Sequence, residues 1–224
     1  MADSHIRELT RSRGYLPQKL MPRNVSLDSE LVIHPCAAND LRKLFSAAYA
    51  AGHHLALASG FRSHQKQRQI FLSKMIKRKI NVWRISTGDF DRELDAILQY
   101  SATPGFSRHH TGFAVDLRTD NRGLRGFGDS EVYAWLSANR FEVARRFGFI
   151  PSYPGGLAHQ GPDPEPWEFL WVGRSVNNEL KQQIAGDRDN LKLAARRILN
   201  WLESDQQPMV TSDVMIAPTS TPGG

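Results

Sequence analysis

The 224-residue chain is almost without cysteine, Cys36 being its single thiol. One cysteine forms no internal disulfide, and it rules out zinc sites built from several thiolates. Any metal must therefore be held by histidine and carboxylate side chains. Long apolar runs are also missing. No stretch of about 18 apolar residues occurs, so no membrane insertion is expected. The opening MADSHIRELTRSRGYL is charged where a secretory leader has its apolar segment, so no signal peptide is expected. Location is then either cytoplasmic or outside the cell by a signal-independent route. No internal repeat is present.

What the chain does have is basic charge, with 29 Lys and Arg against 23 Asp and Glu and a formal net charge of +6. Such a balance suits an anionic partner, whether nucleic acid, membrane surface or an acidic polymer such as a cell wall, or it serves solubility alone. Basic residues are dense between Arg62 and Arg84, but aromatics do not alternate with them as in single-strand binders. Nucleic acid is therefore not an expected partner, and no obligate protein partner is evident.

Residues 1–29 read as an irregular or partly helical arm. IHPCAANDLRKLFSAAYAAG reads as a helix, with Pro35 in its first turn, an apolar stripe of Leu41, Leu44, Phe45, Ala48 and Tyr49, and Gly52 as its stop. HLALAS follows as a short buried strand. Ser63 opens a second helix running to about Lys79, and DFDRELDAILQY forms a short third. A Gly- and Arg-rich loop at 120–128 leads to a helix capped by Asp129 or Ser130 and ended by Gly148. FIPSY and WEFLWVG read as two strands. A polar helix is expected over 176–204 and a disordered tail at 205–224. Helices interspersed with short strands predict an α+β fold.

Three stretches carry candidate chemistry. In SRHHTGFAVDL, Phe113, Val115 and Leu117 share one strand face while Asp116 lies on the other. His109 and Asp116 can share an ion only if the chain reverses between them, and Gly112 is the place for it. The competing reading is a buried aspartate bonded to backbone amides. In SGFRSHQKQ, Arg62 follows a strand end, with Gln67 within reach of the same pocket; alone, Arg62 equally suits a solvated surface. In PEPWEFLWVG, Glu165 and Glu168 can face one site only if Pro166 and Trp167 bend the strand. Otherwise Glu165 is a loop charge.

Together the three motifs resemble the D-alanyl-D-alanine carboxypeptidase family of zinc peptidases, which includes vancomycin-resistance carboxypeptidases and dipeptidases. The pattern Ser-x-His-x-x-Gly-x-Ala-x-Asp is met by Ser107, His109, Gly112, Ala114 and Asp116. The pattern Ser-Gly-Tyr/Phe-Arg-Ser with a downstream glutamine is met by Ser59 to Ser63 and Gln67, and FGFIPSYPGG…EPWEFLWVG follows in the same order. The resemblance covers roughly residues 30–174, within an expected metallopeptidase domain at 30–175.

It implies an α+β fold with a small antiparallel sheet flanked by helices. It also implies a metallo-carboxypeptidase that hydrolyses a bond next to a D-amino acid in peptidoglycan stem peptides. His109 and Asp116 would be metal ligands, and Glu165 the general base that activates water. Arg62 would stabilise the reacting carbonyl, and Gln67, Ser107 and Arg62 would hold the peptide. One position departs from the pattern: Glu168 stands where the family has its third ligand, a histidine. A His-Asp-Glu set can bind Zn2+, and its harder donors shift preference toward an ion such as Mn2+. His159 or His110 is an alternative nitrogen ligand. An endolysin-type endopeptidase, or a non-catalytic peptidoglycan-binding module with a degenerate site, are the rival functions.

Overall fold

The computed structural model describes residues 2–21, 25–119, 123–173 and 190–204. Six α-helices are present in it: α1 (Ala2–Ser12), α2 (Pro35–Ala50), α3 (His64–Lys77), α4 (Asp91–Leu98), α5 (Glu131–Arg146) and α6 (Asn190–Glu203). Short 3-10 turns occupy Val82–Thr87, Arg108–Thr111 and Leu124–Asp129. Strands β1 (Ala56–Ser59), β2 (Ala114–Arg118), β3 (Phe149–Tyr153) and β4 (Glu165–Trp171) form one antiparallel sheet in the order β1-β2-β4-β3. No helix among the described residues is long and apolar enough to cross a membrane.

Capping chemistry sets the helix starts. His34 Nδ1 accepts from the Cys36 amide ahead of Pro35 in α2. Ser63 accepts from Lys66 N at the start of α3, and Ser130 from Tyr133 N at the start of α5. The buried stripe of α2 is narrower than its sequence suggests. Leu41, Leu44 and Ala48 are fully buried, but Tyr49 is 74% exposed and meets only the edge of His54. Strand β1 is half-exposed rather than buried, because it forms an edge of the sheet. Cys36 is half-buried against the core.

Helix α5 is interrupted. Ala138 is extended, and Asn139, Arg140 and Phe141 take left-handed conformations. Each non-glycine residue in that region costs about 1–2 kcal/mol. The break turns Phe141 into the core, where its ring centroid lies 6.1 Å from that of Phe169.

Two apolar clusters form. One joins the sheet (Val115, Leu117, Phe169) to α2, α5 and α6. The second lies among α1, α3 and α4 and contains Phe71, Leu94 and Leu98. Tyr15 belongs to this second cluster, and its hydroxyl donates to Leu98 O at 2.5 Å. The expected arm is thus a helix and strap docked on the body: Arg13 bridges Asp95 at 2.7 Å and Asp163 at 3.0 Å. In the C-terminal part, residues 190–203 are helical as expected, while 176–189 and the tail at 205–224 lie outside the described residues.

Candidate active site

The strand register assembles a polar row across the sheet. Ser59 of β1 pairs with Asp116 of β2, and Asp116 pairs with Glu168 of β4. On the far strand, Ser152 of β3 donates to Glu168 Oε1 at 2.7 Å. His109 reaches this row because its chain reverses. Residues Arg108–Thr111 form a tight turn, and Gly112 takes φ +77°, a left-handed conformation that glycine adopts without strain. The turn and the next strand therefore fold His109 back over Asp116, as the spacing required.

The geometry at His109 is compatible with a metal ligand. Its Nδ1 lies 2.6 Å from Gly60 O, which can only accept, so Nδ1 carries the proton and Nε2 the lone pair in the neutral ring. Nε2 lies 3.3 Å from Asp116 Oδ1 and 3.4 Å from Glu168 Oε2. It is buried yet makes no well-directed hydrogen bond to either carboxylate. The donor atoms of His109, Asp116 and Glu168 lie within 4.8 Å of one another, and all three residues are buried. An orphaned ring nitrogen facing two carboxylates fits a divalent cation better than it fits a hydrogen-bond network.

The charges in the row act strongly on one another. Burial and the Arg62 charge push the His109 imidazole down, but Asp116 and Glu168 outweigh them and hold it up at about 9. Burial raises Glu168, yet His109, Ser152 and Arg108 bring it down to about 2. Glu165 is pushed well above the usual carboxylate range, first by burial and then by Glu168 and Asp116. Both raised groups favour their protonated forms because they are buried beside carboxylates.

Glu165 and Glu168 meet one cleft because β4 bulges. Pro151 pairs with Phe169, but Tyr153 pairs with Glu165, so β4 spends two extra residues over that span. The irregularity lies between Glu165 and Phe169, the span that contains Pro166 and Trp167. Both glutamates line a cleft of about 460 Å³ between the sheet and the α3–α4 side.

Arg62, Gln67 and Ser107 line the same cleft. Arg62 Nε donates to Ser59 Oγ at 2.9 Å, and its Nη2 donates to Asp116 Oδ2. It is thus engaged with the Asp116 carboxylate rather than solvated. Gln67 is 1% exposed; its Nε2 donates to Ala102 O at 2.7 Å, and its Oε1 has no partner.

The alternative nitrogen ligands are not brought to the row. His159 is exposed, in a left-handed conformation, beside a separate surface pocket. His110 is buried, but both its ring nitrogens are committed, Nδ1 to Arg62 O at 2.6 Å and Nε2 to the Gly105 amide at 3.0 Å. Burial pushes it down to about 4, so it is a neutral structural histidine. The other histidines keep modest roles, such as the 2.6 Å pair of His5 with Asp91.

Two groups escaped sequence reasoning. Arg108 and Ser152 are both buried and hydrogen-bonded behind Glu168. The one available signal was indirect: a second carboxylate among the candidate ligands calls for an extra cation. Lys66, Lys74 and Arg125, which line the cleft, were likewise not singled out.

Residues 30–174 match the family model described as VanY, D-alanyl-D-alanine carboxypeptidase. A D-alanyl-D-alanine carboxypeptidase of Enterococcus faecalis is 34% identical over 144 residues, which is 64% of this chain and 49% of that protein. Among solved structures, a mutant of the vancomycin resistance D,D-pentapeptidase VanY from a VanB-type resistance cassette, in complex with Zn(II), is similar. Its TM-score is 0.53 at 27% identity, over 77% of this chain and 99% of that one. VanYB in complex with D-Alanine-D-Alanine also gives a TM-score of 0.53, at 25% identity over 81% of this chain and 97% of that one. The chain spans about half the length of the curated relatives it matches.

Proposed function

Because the chain belongs to the VanY D-alanyl-D-alanine carboxypeptidase family, we propose that it is a divalent-metal carboxypeptidase. It hydrolyses a peptide bond next to a D-amino acid in peptidoglycan stem peptides. One observation carries this reading: the unpartnered His109 Nε2 faces Asp116 and Glu168, with Glu165 in the same cleft. The solved relatives bound to Zn(II) and to D-Alanine-D-Alanine support it.

His109 binds through Nε2, and Asp116 and Glu168 each offer an oxygen. Zn2+, or another divalent ion such as Mn2+, supplies Lewis acidity and makes water a better nucleophile when bound. Glu165 takes a proton from the attacking water and passes it to the leaving amine. It can do so once positive charge nearby lowers its raised pKa. The Arg62 guanidinium borders the cleft, where it meets charge developing on the carbonyl oxygen. Gln67, with an unpaired Oε1, and Ser107 position the peptide. Lys66, Lys74 and Arg125 make the cleft wall cationic, which suits a substrate ending in a free carboxylate. That wall favours terminal over internal cleavage.

The test is mass spectrometry of purified muropeptides incubated with the protein and a panel of divalent ions. Loss of one terminal residue is expected. Glu165→Gln should slow it by about 10²–10⁴-fold while metal remains bound. Internal cleavage would reassign the protein as an endopeptidase. Metal binding without any cleavage would make it a binding module.

A further inference from the structure

A His-Asp-Glu ligand set carries one more negative charge than a set with two histidines. A buried charge without compensation is costly and tends to recapture a proton. The structure supplies a compensating cation outside the cleft lining. Arg108 is 6% exposed, and its guanidinium carbon lies 4.0 Å from the Tyr153 ring centroid. Its Nη1 donates to Ser152 O and, at 3.0 Å, to Ser152 Oγ. A serine hydroxyl has one proton, and here it goes to Glu168 Oε1 at 2.7 Å. The direction of the chain is thus fixed from cation through hydroxyl to carboxylate. With Oε1 committed, Oε2 is the oxygen left facing His109 Nε2 at 3.4 Å.

The other ligand carboxylate has its own arginine, Arg62, in direct contact. Arg62 borders the cleft, where a substrate can draw on it. Arg108 is buried behind Ser152 and against Tyr153, and it is not among the residues that line the cleft.

We propose that Arg108, acting through Ser152, is a positioning residue that enables Glu168 to serve as the third metal ligand, offsetting its charge and presenting a single oxygen to the ion. This rests on the metallopeptidase reading above. In this chain the carboxylate at position 168 is thus accompanied by a buried cation.

A double-mutant cycle on zinc affinity, measured by calorimetry, tests it. Arg108→Met and Ser152→Ala should each weaken zinc binding by about ten- to a hundredfold when Glu168 is present. In the Glu168→His background the same changes should cost less than about twofold. A merely structural role for Arg108 would weaken both backgrounds equally, and that result overturns the proposal. So does unchanged affinity in the Glu168 background. If Arg108→Met fails to fold, Ser152→Ala decides alone, since it removes one oxygen and leaves the arginine in place. A wild type that binds zinc but gives an additive cycle overturns this inference only. A wild type that binds no divalent ion overturns the metallopeptidase reading as well.

Discussion

Asp116 and Glu168 are direct partners across the β2–β4 ladder, two acidic side chains set opposite each other on a buried face. Like charges so placed repel and destabilise a sheet. A divalent ion between them reverses the sign of that interaction.

A metal should therefore stabilise the fold. Ligand at about 100 times its Kd adds about 2.7 kcal/mol when only the native state binds. For a chain of this size that is a rise in Tm of roughly 5–10 °C. Glu168→Ala should abolish the metal-dependent rise, and His159→Ala should leave it intact. Thermal melts with Zn2+, with Mn2+ and with chelator check this. Loss of the shift in His159→Ala alone would move the third ligand to His159.

Arg62→Lys should damage turnover more than substrate binding. The planar fork that spans Ser59 Oγ and Asp116 Oδ2 is lost, and an ammonium cannot reproduce both contacts. Removing an oxyanion donor typically lowers kcat by about 10²–10³-fold. Steady-state kinetics on a D-alanine-terminated peptide give the answer, and an unchanged kcat would remove Arg62 from the reaction.

Metal binding should release protons. His109 must lose its second proton to become a ligand, and its pKa is held at about 9. Below that pH the proton competes with the ion, so apparent affinity should rise with pH and level off above about 9. Calorimetry in buffers of different ionisation enthalpy measures this release. No proton release near pH 7 would show that His109 is already neutral.

Local features of the fold were legible in the sequence because their causes are local. Pro35, Ser63 and Ser130 mark helix starts through their own geometry, and Gly112 marks a reversal that no β-branched residue would take cheaply. Pro166 and Trp167 signalled the bend that turns Glu165 and Glu168 to one side. What stayed hidden depends on partners far along the chain. Ser152 meets Glu168 only through strand register, and Arg108 meets Ser152 44 residues away. The exposure of Tyr49 and of β1 likewise depends on what packs beside them. The break at 138–141 has no proline or glycine to announce it.

The docked strap after α1 sets a limit on any shortened form of this protein. Tyr15 lines the cleft that holds Glu165 and Glu168, although the family-matched region begins only at residue 30. A β-carbon at Gly161 would meet its ring at 2.8 Å, so the loop entering β4 is moulded around it. Cutting the gene at the family boundary would remove part of the cleft wall and the ion pairs of Arg13 that hold that loop. Substrate screening should therefore start from the intact N-terminus, since a truncated protein could lose selectivity while keeping every metal ligand.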